Sequence, residues 1–547
     1  MAANLVLHNG NVYTMGRAAP CTQAIAISGE RVVAVGEDRA MLDLLAHDGR
    51  AVDLDGLTVV PGFTDAHLHL LSVGLGLTRV DLLGAASLED ALARVAARAA
   101  STPDGHWLVG HGWDHSLWGG TLPTRADLDR VAPRHPVCLA HKCGHATWAN
   151  SRALELAGIT RTTPDPPAGA LERDSTSGEP TGILKENAGA LVRRLVPEPT
   201  AEEADEAIRA ATRRAHRAGL VGVHTMEGAA SFRALQRLRA SGELRLRVLI
   251  TVPEEALDAA AAIGLASGFG DHWLRIGGVK LFADGALGSR TAYLLAPYEN
   301  ESDYVGISTA TPEYLRDTVD RAARAGLASF THAIGDRANR EVLDAVEASR
   351  AAGVGLHLRH RIEHAQLLHP EDIGRFAQLG VVASVQPIHA TQDLRLVDAH
   401  WGARGAGAYA FRSLLDSGAV LAFGSDCPVE DLSPLVGVHA AVTRRRADGS
   451  PGPEGWYPEQ RLSVEEAVRA YTLGTAWAAG EEASRGCLSP GKLADLAVLS
   501  KDLFTIDPMA ILDTVVVATV VGGQCVYGAE ALGLPDSASQ HAGTEDT

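Results

Sequence analysis

His67 and His69 stand one residue apart in DAHLHLL, directly after the apolar run TVVPGFT. On an extended strand, side chains two apart share a face, so the two imidazoles can converge on one point while Leu68 and Leu70 face away. Two imidazoles fixed in this way supply half of a tetrahedral metal shell. Other ligand-type residues close further apolar runs: Lys280 in IGGVKLFADG, His332 in LASFTH, His364 in HRIEH and Asp426 in AVLAFGSD. If those runs are parallel strands around a common axis, the residues that end them meet at one mouth.

The lysine is the most informative of them. Only five lysines occur (142, 185, 280, 492, 501), so nearly all basic charge is arginine, yet this apolar run carries a lysine. A buried ammonium is costly, and an amine can shed its proton where a guanidinium cannot. A neutral amine in a confined site can add carbon dioxide and become a carbamate, an anion with two oxygens able to bridge two metals. The plainer alternative is an ion pair with Asp284 or Asp426. His67, His69 and Asp426 would hold one ion and His332 with His364 a second, generating hydroxide near neutral pH. Asp426 would take up its proton and pass it to the leaving group. Hydrolysis of a carbonyl compound is the chemistry expected. For a lone strand-end histidine, such as His224 in GVHTME, a capping or core role is the better expectation.

The elements that must position these residues follow from periodicity. The first sixty residues alternate short β-type runs with turn signals (NLVLH, VYTM, QAIAI, RVVAVG, AVDLDG), and the far end repeats this with LADLAVLS, TVVVATVV and QCVYG around Gly522-Gly523. Neither group can bury a core alone, so residues 1–60 and 485–534 are expected to form one composite β-sandwich. Between them, apolar strands alternate with amphipathic helices such as EEADEAIRAATRRAHRAG and PEYLRDTVDRAARAG, the pattern of repeated βα units. Ten candidate strands result. Two of these, HWLVGH and VCLAHK, fall in a stretch of about 140 residues that is far too long for a βα connection. Removing it as an insertion leaves eight. The expected fold is α/β: a (β/α)8 TIM barrel over 61–74 and 216–484, with the insertion after strand one, 75–215, covering or lining the active site. The tail, 535–547, is expected to be disordered.

Within the insertion, RTTPDPPAGALERDSTSGEPTGI reads as irregular. The tryptophan-rich HWLVGHGWDHSLWGG, with Trp113, suits either a pocket lining or core and turn packing. CLAHKCGH (138–145) reads C-x2-H-x-C-x-H, a spacing too tight for a structural zinc site and split between two faces of a strand.

Composition narrows the partners. Of 547 residues, 46% are hydrophobic and 21% charged, ordinary for a globular enzyme; 67 acidic against 49 basic residues give a net charge of −18, which disfavours nucleic acid and anionic membranes. The opening MAANLVLHNGNVYTMG lacks the basic and long apolar regions of a signal peptide, and no long uninterrupted apolar run occurs, so a cytoplasmic protein that does not enter a membrane is expected. Six scattered cysteines do not form a disulfide framework.

Taken together, VVPGFTDAHLHL, GVKLFADGALGSRTA, THAIGDRANREVL, HRIEHAQL, FGSDCPVEDLSPL and LSPGKLADLAVLSKDLF resemble, in order and wording, the amidohydrolase superfamily in the YtcJ-like branch that includes N-substituted formamide deformylase. The likeness spans nearly the whole chain. It implies a metal-dependent (β/α)8 barrel, usually with zinc, with one or two divalent ions per chain; manganese, iron, cobalt or nickel suit the same ligands. It implies that Lys280 is the carboxylated bridging lysine and that His67, His69, His332, His364 and Asp426 are metal positions. It implies cleavage of a carbon–nitrogen bond in a small non-peptide amide, an N-substituted formamide among them. In PVCLAHKCGHATWANSRALELAGI, His145 is similar to a pocket residue of the family, and Arg290 in ALGSRTA is placed either to meet a substrate anion or to pair with Asp284. The same centre suits an ester, lactone or carbamate, and a non-catalytic regulator could keep the fold as a scaffold. A homo-oligomer is compatible with all of these.

Overall fold

The structure, a computed structural model, describes residues 2–141, 146–166 and 169–534; the tail for which disorder is expected lies outside them. The chain forms two compact units, residues 1–70 with 211–547, and residues 71–210.

The larger unit is built on eight parallel strands: β1 (Phe63–Leu68), β2 (Leu220–Thr225), β3 (Arg247–Pro253), β4 (Leu274–Phe282), β5 (Ala328–Ala333), β6 (Arg361–His364), β7 (Val382–Val385) and β8 (Leu421–Phe423). Each pairs with its sequence neighbour, from β1 to β8. The ring closes just past the last strand, where Asp426 N donates to His67 O (2.7 Å) and His69 N to Cys427 O (2.9 Å). A Cβ at Gly424 would lie 2.6 Å from His67 N, so the closure needs a glycine there. Strands covered on both faces read as continuous apolar runs, and LVGVHT of β2 is buried at every position. The connecting helices are amphipathic. Pro312–Arg324 starts on a Thr311 cap that accepts from Tyr314 N, and it buries Leu315, Val319, Ala322 and Ala323.

TVVPGFTD, expected as one strand, is two. Thr58–Pro61 belongs to a different sheet and Phe63–Leu68 to the barrel, with Gly62 between them passing so close to β2 that a Cβ would meet the Val221 side chain at 2.2 Å. Thr58–Pro61 joins Asn11–Tyr13 and Cys21–Thr22 to the C-terminal strands Leu496–Leu499, Val516–Val521 and Gln524–Tyr527 in a six-stranded sheet. A four-stranded sheet of N-terminal strands, Ala3–His8, Ala24–Ser28, Arg31–Gly36 and Leu45–Asp53, supplies the other layer. Leu5, Leu7, Ile25 and Ile27 from one end of the chain share a core with Leu496, Val498 and Val520 from the other, so each end supplies only part of that core. Arg247 of β3 clamps Asp495 through Nε (2.6 Å) and NH2 (2.8 Å), both side chains out of solvent.

Residues 71–210 carry a six-stranded sheet of their own, in which Leu108–Trp113 and Val137–His141 are parallel neighbours. HWLVGH and VCLAHK are therefore strands, but not barrel strands. The Pro/Gly-rich stretch read as irregular contains an antiparallel hairpin, Gly169–Arg173 with Pro180–Glu186. Its turn is held by Asp174, which accepts from Thr176 N and Ser177 N. Among the described residues, no helix is long and apolar enough to cross a membrane.

Candidate metal centre

Because all eight strands run the same way, their C-terminal ends share one mouth. There His67, His69, Lys280, His332, His364 and Asp426, which come from five strands and their ends, line a single cleft of about 350 Å³. Centroids of the His67 and His364 rings lie 4.8 Å apart, and those of His332 and His364 4.6 Å apart. Asp426 Oδ1 is 3.5 Å from His67 Nε2 and 3.3 Å from His69 Nε2. His67, His69 and Asp426 offer one ligand atom each within 4.8 Å of one another, and so do His364, His389 and Asp426.

Each inner imidazole is oriented by a bond on its far nitrogen. His67 Nδ1 meets Glu363 Oε2 at 2.7 Å, His332 Nε2 meets Gly285 O at 2.9 Å, and His364 Nδ1 meets Gln386 Oε1 at 2.8 Å. An acceptor on one nitrogen places the proton there and leaves the other nitrogen's lone pair for a metal. Burial, with Lys280 adding to it, pushes His332 down to about 3; burial and the neighbouring His332 and His67 hold His364 well below its usual value, and burial lowers His67 against the pull of Glu363. Each of these shifts favours the neutral ring, the form that ligates.

Lys280 is 7% exposed, and its Nζ has no hydrogen-bond partner. Neither Asp284 nor Asp426 pairs with it. Nζ sits 4.6 Å over the Phe282 ring, and burial pushes the amine down to about 8 against Glu363 and Asp426. For Asp426, burial opposes ionisation, but the hydrogen bond from His69 and the nearby His67, His364 and His389 hold its carboxyl well below the usual range. Asp426 and His364 both occupy the left-handed region (φ 59° and 74°), the kind of costly conformation that persists where the surroundings impose it.

Two expectations from the sequence, Arg290 and Trp113 as substrate-binding residues, have other outcomes, and a third falls on a residue that is not described. Arg290 does not line the cleft: it pairs with Glu301 and lies over Tyr298, while Asp284 accepts from the backbone N–H groups of Tyr293, Ile334 and Gly335. Trp113 is fully buried in the core of residues 71–210, against Trp148, with Nε1 donating to Leu139 O, so core packing is its role there. His145 lies outside the described residues, as does Cys143. Cys138 sits in a hydrophobic cluster where burial pushes its thiol up to about 11, which does not suit a zinc thiolate.

Sequence reasoning missed the residues one layer out. Arg361 holds Glu363 through Nε (2.8 Å) and NH2 (3.0 Å), and its NH1 reaches His224 Nδ1 at 2.8 Å, so His224 supports the network from the core. His389, in the helix Pro387–Gln392 just after β7, also faces the cleft, with Nε2 3.9 Å from Asp426 Oδ2. Strand-end positions do not reveal it: β7 ends at Val385, and His389 lies four residues beyond, at the end of QPIH.

The donor set therefore fits a divalent ion: neutral imidazoles with oriented lone pairs, one ionised carboxylate, and a buried amine with no partner.

Comparison with known proteins agrees. Residues 50–527 match the family model described as Amidohydrolase family. The putative amidohydrolase YtcJ of Bacillus subtilis (strain 168) is 34% identical over 531 residues, covering 95% of this chain and 99% of the relative. The N-substituted formamide deformylase of Arthrobacter pascens is 30% identical over 515 residues, covering 91% and 94%. A crystal structure of an uncharacterized metal-dependent hydrolase from Pyrococcus horikoshii OT3 superposes with a TM-score of 0.79 at 32% identity, covering 92% of this chain and 99% of that one.

Proposed function

The chain belongs to the amidohydrolase family, in its YtcJ-like branch, and from that premise we propose that it is a metal-dependent hydrolase of carbon–nitrogen bonds in small non-peptide amides, N-substituted formamides among them. The observation that carries the reading is Lys280: a buried amine without a partner, in the same cleft as two sets of oriented imidazoles and one ionised carboxylate. His67, His69 and Asp426 would hold one ion, and His332 with His364 a second; zinc suits this imidazole-rich set. A bound divalent ion supplies Lewis acidity and a water acidified toward neutral pH.

The chain's own residues do the rest. Lys280 Nζ, freed of its proton, would bond to carbon dioxide and release one further proton, giving a carbamate with two oxygens available as ligands. Glu363 and Gln386 keep the His67 and His364 protons on Nδ1. Asp426 accepts a proton from the attacking water and hands it to the leaving nitrogen.

The test combines metal analysis with a screen of matched amides, esters, lactones and carbamates. Bound divalent metal together with amide turnover is expected. Ester or lactone turnover without amide turnover would move the reading to that substrate class. Negligible metal in protein made with metal supplied would indicate a scaffold.

A further inference from the structure

Glu430 and Asp393 also line the cleft, opposite in character to the imidazoles, and among the described lining residues Lys280 is the only lysine or arginine. Glu430 makes no hydrogen bond or ion pair among the described residues and is more than half-buried; burial, then Asp393, Asp426 and Asp431, push it up to about 7. Asp393 takes Tyr409 OH (2.6 Å) and Gln366 Nε2 (3.3 Å) on Oδ2, which leaves Oδ1 for a ligand. A partly desolvated carboxylate with no counter-ion is unfavourable until a cation reaches it.

Two further groups mark the cleft as shaped for a ligand rather than merely acidic. Lys280 Nζ and His389 Nε2 are both without hydrogen-bond partners, and their residues are 7% and 8% exposed. Phe282, Leu287, Ile334 and Val429 add apolar surface to the same cleft. Arg290, which the sequence offered for a substrate anion, pairs with Glu301 and does not line the cleft.

We propose that Glu430 and Asp393 form an ammonium subsite, so that the substrate is an amide bearing a second, protonated nitrogen separated from the scissile bond by an apolar spacer. The inference rests on the hydrolase reading of the same cleft. It assigns Glu430 the role of choosing substrates by charge, and it excludes carboxylate-bearing amides.

The test uses three N-benzylformamides that differ only at the para position, with an aminomethyl, a methyl or a carboxyl group, and the three 4-arylbutan-2-ones with the same para groups, ketones in which a methylene replaces the amide nitrogen and an acetyl the formyl group, so that nothing can be cleaved. With the metal-loaded full chain, the aminomethyl compounds should show at least about tenfold higher kcat/KM, and at least about tenfold tighter Kd by calorimetry, than the methyl ones, which is the scale of one charge-assisted contact. The carboxyl compounds should be poorest. In Glu430→Gln the aminomethyl-to-methyl ratio should fall about tenfold in both series. Equal Kd values across the ketones, a preference for the carboxyl compound, or a ratio unchanged in Glu430→Gln would overturn the subsite. If no formamide is cleaved while the ketones still rank by charge and Glu430→Gln removes the ranking, the hydrolase reading fails and the subsite stands.

Discussion

His67 Nδ1 lies 2.7 Å from Glu363 Oε2, and neither side chain is open to solvent. The contact joins the first strand of the barrel to the sixth. It sets the imidazole's tautomer and aims Nε2 at Asp426, 3.5 Å away. Arg361 secures Glu363 two residues back along the same strand, and the positive φ of His364 turns the next residue toward the cleft as well. Consecutive residues on a regular strand would face opposite ways, so this bend is what lets β6 supply both an orienting carboxylate and an imidazole.

Glu363→Gln keeps a hydrogen-bond acceptor for Nδ1 but removes the charge. On the proposed ligand assignment, metal affinity should fall by about 10–100-fold, the usual cost of losing an outer-shell carboxylate, as measured by competition with a chelator. The change also leaves Arg361 buried without its counter-ion, and a loss of about 3–5 kcal/mol in stability should accompany it, read from urea unfolding. Unchanged metal affinity in folded protein would mean that the Glu363 charge does not tune the site.

Lys280→Ala should lose turnover by more than the ~10–100-fold cost of an outer-shell change, with partial recovery when formate, acetate or propionate is added to stand in for the carbamate. The cavity left by the side chain gives such acids room to enter. Full activity in the untreated variant would refute a bridging role.

Much of this was legible in the sequence because the barrel strands read as continuous apolar runs, and five of the eight carry a ligand-type residue at or near the end. His67, His69, Lys280, His332, His364 and Asp426 were found by that rule, and all six line the cleft. What escaped it lies inside strands or beyond them. Glu363 and Arg361 satisfy each other's charge within the barrel, and no local pattern reveals a partner 296 residues away such as His67. His389 sits on a helix after β7, where the strand-end rule does not look. Arg290 misled because sequence proximity to Lys280 says nothing about a counter-ion such as Glu301 folding back over it. The split of TVVPGFTD at Gly62 was hidden because both halves are equally apolar, and only close packing against Val221 requires the break.

Stability should carry a pH signature from His216, which is buried with Nε2–H donating to Arg245 O at 3.0 Å. Burial, against that bond, pushes it down to about 4, below its unfolded value of about 6.5. Between those values the unfolded chain binds the proton and the native chain does not, so this group's contribution falls as pH falls from 6.5 toward 4 and is constant above 6.5. From pH 7 to pH 5 the loss is about 2 kcal/mol. His216→Gln keeps a donor for Arg245 O and does not titrate, so its urea midpoint should drop less than the wild type's over that interval. Equal drops would show that His216 is not held neutral.

Asp426→Asn tests the proton's route with little risk to the fold. The position has φ 59°, a conformation asparagine tolerates as well as aspartate, and the closing bond from its backbone N to His67 O does not depend on the side chain. An amide can still face the His69 Nε2, 3.3 Å from Oδ1 in the native chain, but it cannot take up a proton. On the proposed mechanism, turnover should fall at least about a hundredfold, and metal content measured on the same sample separates two causes. Metal retained with slow turnover assigns the loss to proton transfer; metal lost assigns it to ligation. Near-normal turnover with metal in place would remove Asp426 from the chemistry and leave His389, the other titratable group facing Oδ2, as the next residue to substitute.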